Sequence, residues 1–120
     1  GEFPLSEPES MAMVNFTRQH DFRLVIAYHT QGEVIYWQFQ NYAPPVALQI
    51  ANIFSRASGY AVEAGTAEAA YAGYKDWFLQ EYGRPGYTIE AGRGTNPLPI
   101  SQLPEIYRRN EEIMLAPIVY

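Results

Sequence analysis

The sequence predicts an α/β fold, a mixed, mostly parallel sheet flanked by helices. Three observations predict it. Helical and strand-like segments alternate along the chain in the order helix, strand, strand, helix, strand, helix, strand, helix, which is the pattern of a helix-flanked sheet. Six of the seven residues Phe22-Arg23-Leu24-Val25-Ile26-Ala27-Tyr28 are apolar, as in a strand covered on both faces. Two residues able to do chemistry, His29 and Glu90, each close a predicted strand, where such sheets gather their working groups.

The elements follow in order. Ser6-Glu7-Pro8-Glu9 reads as a helix start, with Ser6 as N-cap and Glu9 completing a capping box. That helix runs to about His20, with Met11, Val14 and Phe16 as core candidates. After the Phe22–Tyr28 strand, Gln31-Gly32 turns into a short strand, Val34–Trp37. Pro44-Pro45 opens a helix in which Val46, Ile50, Ile53, Phe54 and Ala57 form one apolar stripe, closed by Gly59. Tyr60–Glu63 is a strand, and Ala64–Tyr74 is a loop rich in Ala and Gly. Lys75–Tyr82 is a short helix stopped by Gly83, and Gly86–Glu90 a strand followed by the turn-rich stretch Ala91–Pro99. Pro104 starts the last helix, with Ile106, Ile113 and Met114 on one face.

A chain of 120 residues has room for one domain and one core. Without cysteine it has no disulfide or zinc–thiolate site, so any metal must be held by histidine and carboxylates. A net charge of −5 sets it against a nucleic-acid backbone as partner. No apolar run reaches the ~20 residues of a membrane helix, and Gly1-Glu2-Phe3-Pro4 carries no secretory signal pattern.

His29 follows a rigid apolar strand and precedes the small, polar Thr30-Gln31-Gly32, a setting suited to a metal ligand at the rim of a pocket. The plainer alternative is a strand-end histidine bonded to backbone. Glu90 precedes Ala91-Gly92-Arg93-Gly94; it suits a general base in a cleft that substrate can approach closely, or a surface partner of Arg93. The fork of Arg93 fits a substrate carboxylate, against the plainer reading of a solvated charge. Tyr71 and Tyr74 are loop anchors or a phenol that swings over substrate, and His20 is a surface residue. No HExxH, HxxE, GxSxG or P-loop pattern occurs, and one His with one Glu falls short of the usual three ligands of catalytic zinc.

The segment Val25-Ile26-Ala27-Tyr28-His29-Thr30-Gln31-Gly32-Glu33-Val34-Ile35-Tyr36-Trp37 resembles the stretch carrying the third zinc ligand of zinc carboxypeptidases. Asp76-Trp77 followed by Tyr87-Thr88-Ile89-Glu90, with thirteen residues from Trp77 to Glu90, is similar to that family's Asp-Trp and catalytic glutamate strand. Ser6-Glu7-Pro8-Glu9-Ser10 and Asn96-Pro97-Leu98-Pro99 look most like its bacterial γ-D-glutamyl-L-diamino acid endopeptidases, which act on peptidoglycan peptides. The resemblance covers essentially the whole chain. It implies that residues 1–120 are the C-terminal half of a catalytic domain, that His29 is a zinc ligand, and that Glu90 activates the attacking water and passes its proton to the leaving amine. It implies an HxxE motif, a carboxylate-binding Asn-Arg pair and an oxyanion arginine upstream. Tyr71, nineteen residues before Glu90, is the phenol expected over substrate, somewhat closer than the family's interval, with Tyr74 as the other candidate. In that family the position just before the Asp-Trp shapes the specificity pocket; here it is Lys75, which the resemblance implies would suit an acidic side chain or the carboxylate of a diamino acid.

The expected function is therefore that of part of a zinc metallopeptidase cutting the γ-D-glutamyl–diamino acid bond, this chain alone being inactive. A general metallocarboxypeptidase and a metal-free binding or assembly module are the alternatives. The expected partners are a peptide or peptidoglycan stem, the missing N-terminal half and a second copy of the chain, with no nucleic acid and no membrane. The expected location is the bacterial cell envelope or the exterior, with the cytoplasm as alternative.

Overall fold

The computed structural model describes residues 1–65 and 73–119. Helix α1 (Pro8–Arg18) leads into strand β1 (Val25–His29), then β2 (Val34–Tyr36), α2 (Val46–Ser58), β3 (Ala61–Glu63), α3 (Tyr74–Tyr82), β4 (Gly86–Glu90) and α4 (Leu103–Leu115), with short 3-10 turns on either side of α4. The four strands form one sheet in the order β1-β4-β2-β3. β1 runs parallel to β4 and β2 parallel to β3, while β2 meets β4 antiparallel. The carboxyl ends of β1 and β4 thus share an edge with the starts of β2 and β3. The fold is the helix-flanked, mixed, mostly parallel α/β sheet that the alternation of segments predicts.

Register and the two-residue alternation of strands assign the faces. Tyr28, Ile89 and Ile35 lie side by side on one face, and Ile26 beside Tyr87. That face packs on Ile50, Ala51 and Phe54 of α2 and Ile113 of α4, the main core. Phe54 meets Tyr87 edge-on with ring centroids 5.1 Å apart, and the buried Tyr87 hydroxyl donates to the Ala47 carbonyl at 2.8 Å. On the opposite face α3 covers the beginning of the β1–β4 pair. A Cβ added at Gly86 would stand 3.4 Å from Phe78 and from Val25, in van der Waals contact with the α3 side of the sheet.

Local chemistry accounts for most boundaries. Gly59 and Gly83 both adopt the left-handed conformation and close α2 and α3, as their positions predict. At the start of α1 the outcome differs. Glu7 is the N-cap, without a side-chain cap bond, because the Ser6 hydroxyl donates instead to the Glu7 carboxylate. Met11 and Phe16, expected in the core, are about half exposed, and so is Met114 of α4; Val14, Thr17 and Ile113 hold those helices down. The first long strand spans only Val25–His29, the stretch that finds a partner in β4.

Candidate active site at the carboxyl edge of the sheet

His29 and Glu90 are partners in the last rung of the parallel β1–β4 ladder. Lateral neighbours project to the same face, and strands lie about 4.8 Å apart, so the imidazole and the carboxylate emerge together at the carboxyl edge, on the face away from α2 and α4. The rung is held by the Ala91 amide donating to the His29 carbonyl at 2.8 Å and the Gly32 amide donating to the Gly92 carbonyl at 2.8 Å. His29 is exposed and Glu90 half-buried. Gly32, at φ +135°, passes beside Glu90 without a side chain; a Cβ there would stand 3.9 Å from the Glu90 Cβ.

The same face carries Ala27, Thr88 and Tyr36, since Tyr36 pairs with Thr88, which pairs with Ala27. Small Ala27 and Thr88 leave a floor in front of the His29–Glu90 rung. Tyr36 is a neighbour that reading the sequence did not single out. Burial raises its phenol pKa, with added repulsion from Glu63 and Glu90. Its only sequence signal is the period of two that places it with Val34 on the Glu90 face.

Beyond the rung, Glu33 at φ +52° reaches two cations. Arg93 Nε donates to one of its carboxylate oxygens and Arg109 Nη1 to the other, both at 2.7 Å. Arg109 also donates to the Ser58 carbonyl and lies over the Tyr60 ring, 4.7 Å from its centroid. The acidic partner of Arg93 is therefore Glu33, while Glu90 stays on its own face. Glu33, Arg93, Arg109, Gln102 and Glu105 line a polar hollow at this edge.

Lys75 and Asp76 sit at the other end of β4, where the Lys75 backbone passes Gly86. Both are buried, and the ammonium binds the Asp76 carboxylate and the Gln38 carbonyl, the latter at 2.6 Å. Lys75 and Arg93 are thus set at opposite ends of the strand whose last residue is Glu90. Of the two phenols, Tyr71 lies outside the described residues. Tyr74 begins α3, bonds the Thr17 hydroxyl on α1 at 2.8 Å and stacks on Trp77, so it is an anchor between two helices. His20 is exposed, stacked on Phe22 and bonded to the Phe16 carbonyl.

As donors for a metal, this edge offers the His29 imidazole, with the Glu90 carboxylate one strand away. Among the described residues no group of three or more His, Cys, Asp or Glu side chains could hold an ion. The residues fit a zinc site as contributors of one nitrogen ligand and one neighbouring carboxylate. Among the described residues no helix is long and apolar enough to cross a membrane.

The fold is an α/β sheet that brings a histidine and a glutamate side by side at its carboxyl edge, next to a polar hollow. A family profile described as zinc carboxypeptidase matches residues 1–113, and the chain belongs to that family. The chain is similar to γ-D-glutamyl-L-diamino acid endopeptidase 1 of Lysinibacillus sphaericus, with 52% identity over 116 residues, covering 97% of this chain and 29% of the relative. It is also similar to the uncharacterized protein YqgT of Bacillus subtilis (strain 168), with 38% identity over 114 residues, covering 95% of this chain and 30% of that protein. The chain therefore spans under a third of the length of these relatives.

Proposed function

We propose that residues 1–120 are the C-terminal half of the catalytic domain of a zinc metallopeptidase that hydrolyses the γ-D-glutamyl–diamino acid bond of peptidoglycan peptides. The observation that carries this reading is the shared last rung of His29 and Glu90, supported by the family match and by the similarity to the γ-D-glutamyl-L-diamino acid endopeptidase of Lysinibacillus sphaericus. His29 contributes one ligand, the remaining ligands coming from elsewhere in the complete protein. Zinc, when bound, supplies a Lewis acid that polarises the scissile carbonyl and acidifies water. Glu90 accepts a proton from the attacking water as the new C–O bond forms, then returns it to the departing nitrogen as the C–N bond breaks. Half-burial beside Tyr36 and the uncovered Gly32 backbone suits it to that exchange. Tyr71 is our candidate for the phenol over substrate. Arg93 is our candidate for recognising a substrate carboxylate; Lys75, the other cation the sequence offered, is buried against Asp76 and the Gln38 carbonyl at the far end of β4 and has no free donor face for substrate.

A cell-wall substrate assigns the enzyme to the envelope or the exterior. The apolar side chains left exposed, Met13 and Phe16 on α1 and Leu103 and Tyr107 on α4, support docking by the rest of the domain, or by a second copy of this chain. The test is made in a full-length protein that contains this chain, with a γ-D-glutamyl–diamino acid peptide and mass-spectrometric detection of products. Glu90→Gln is expected to lower kcat by about 10²–10⁴-fold at unchanged zinc content, and His29→Ala to lower the zinc content itself. Retention of wild-type kcat by Glu90→Gln would end this reading. Preference for a peptide with an apolar C-terminal residue would transfer it to a general metallocarboxypeptidase.

A further inference from the structure

Beyond the last rung the two strands separate into loops, which the Gly32–Gly92 backbone bond and the Glu33–Arg93 ion pair still join, and a further side-chain pair sits directly beside His29. The Thr30 hydroxyl donates to Asn96 Oδ1 at 2.8 Å, and Asn96 Nδ2 donates to the Thr30 carbonyl at 3.0 Å. One amide thus grips the side chain and the backbone of the residue that directly follows His29. We propose that Thr30 and Asn96 are positioning residues that hold His29 against Glu90; the inference rests on the peptidase reading above.

The other end of the clamp is anchored. Asn96 belongs to the loop after β4, and that loop is tied to the start of α4 by a second reciprocal pair. The Arg93 amide donates to Gln102 Oε1 at 3.0 Å, and Gln102 Nε2 donates to the Arg93 carbonyl at 2.8 Å. Gly92, at φ +77°, lies so close to Leu98 and Ile106 that a Cβ would come within 2.4 Å and 2.9 Å of them. The loop is therefore seated on the α4 side of the core, and Asn96 extends that seating across to Thr30. Both clamp residues are exposed, so water competes for their bonds and they add little to global stability. Their consequence lies in geometry. A metal ligand and a base must be held to within a fraction of an ångström, and His29 stands at the last paired residue of an edge strand, where fraying begins.

The test has two arms. In the zinc-free 120-residue chain, Thr30→Val and Asn96→Ala are expected to speed amide hydrogen exchange at Gly32 and Ala91 by about tenfold or more. Thr30→Ser, which keeps the hydroxyl, is expected to match wild type. In the full-length, zinc-loaded protein, the same two variants are expected to lower kcat and speed zinc release to a chelator by roughly 10–100-fold. KM should stay within about threefold, since ground-state binding is not touched. If Asn96→Ala does not fold, Asn96→Asp, which keeps the acceptor and loses the donor, takes its place. Wild-type exchange at Gly32 and Ala91 in Thr30→Val would overturn the clamp. Faster exchange with wild-type kcat and zinc release would overturn its positioning role. Glu90→Gln run alongside separates the two levels: wild-type kcat there removes the peptidase reading, whereas a collapse of kcat there with wild-type behaviour in the clamp variants removes only the clamp.

Discussion

His29 and Glu90 stand side by side in the last rung of the β1–β4 ladder, joined through the Ala91 amide on the His29 carbonyl at 2.8 Å. This places an imidazole and a carboxylate on one face, the proposed ligand and base, yet it is a single imidazole, and catalytic zinc takes about three protein ligands. The isolated 120-residue chain is therefore expected to show no stoichiometric zinc binding at about micromolar concentrations in calorimetry, a level that would need roughly −8 kcal/mol. Tight binding by the monomer would contradict the shared-site reading. Tight binding by a dimer alone would point to His29 from two copies.

Lys75 and Asp76 form a buried ion pair with the Gln38 carbonyl as third member. Removing the cation leaves a carboxylate in a site closed to water. Lys75→Ala is therefore expected to destabilise the chain by about 3 kcal/mol, and Lys75→Met with Asp76→Leu to recover much of that loss. Urea midpoints of the two variants check this. If Lys75→Ala unfolds at the wild-type midpoint, the ammonium is not bound to Asp76 in solution and is free to meet substrate.

Much of this fold is legible in the sequence, and the residues show where legibility ends. The stripe Ile50, Phe54 and Ala57 with Gly59 behind it specifies α2 by period and cap alone, and Gly83, Gly86 and Glu90 bound α3 and β4 with the same directness. These are local signals. The antiparallel β2–β4 pairing is not local: it depends on which strand meets Ile89 across the sheet, and Ile35 carries no mark saying so. The half-exposure of Met11 and Phe16 likewise depends on what covers α1. At the site, His29 and Glu90 are legible because each ends a strand. Glu33 is not, since an acid after Gly32 reads as a surface turn until its two arginines are seen. Tyr74 reads as part of a loop until its hydroxyl is found on Thr17.

Arg93 differs from Lys75 in being available. Glu33 takes its Nε, and the side chain is otherwise 76% exposed at the edge where Glu90 ends β4. An ion pair so exposed contributes only about 0–1 kcal/mol to stability, so Arg93→Ala is expected to leave the melting temperature nearly unchanged. In a full-length protein that contains this chain, the same change is expected to lower kcat/KM for the cell-wall peptide by at least ~10-fold, about 1.4 kcal/mol of transition-state binding. A peptide with an apolar C-terminal residue should lose far less. Equal losses on both peptides, or none on either, would make Arg93 only a partner of Glu33.

Tyr87 is expected to contribute to the alkaline limit of the fold. Its ring is fully buried between β4 and α2, its hydroxyl donates to the Ala47 carbonyl, and burial raises its pKa well above the ordinary value of 10.0. A raised pKa in an acid means that the folded state favours the protonated form. The stability this represents is fully present below the unfolded value near 10 and is lost as pH rises through the folded value. Tyr28, pushed up to about 12 by burial with a contribution from Tyr60, acts in the same direction, though its greater exposure weakens the effect. Urea midpoints are therefore expected to be flat from neutral pH to about 9 and to fall steeply above about 10. Tyr87→Phe removes the titrating group together with its hydrogen bond, so it is expected to cost about 1 kcal/mol at neutral pH and to flatten the alkaline fall. A wild-type slope above pH 10 in Tyr87→Phe would assign the alkaline unfolding to another group.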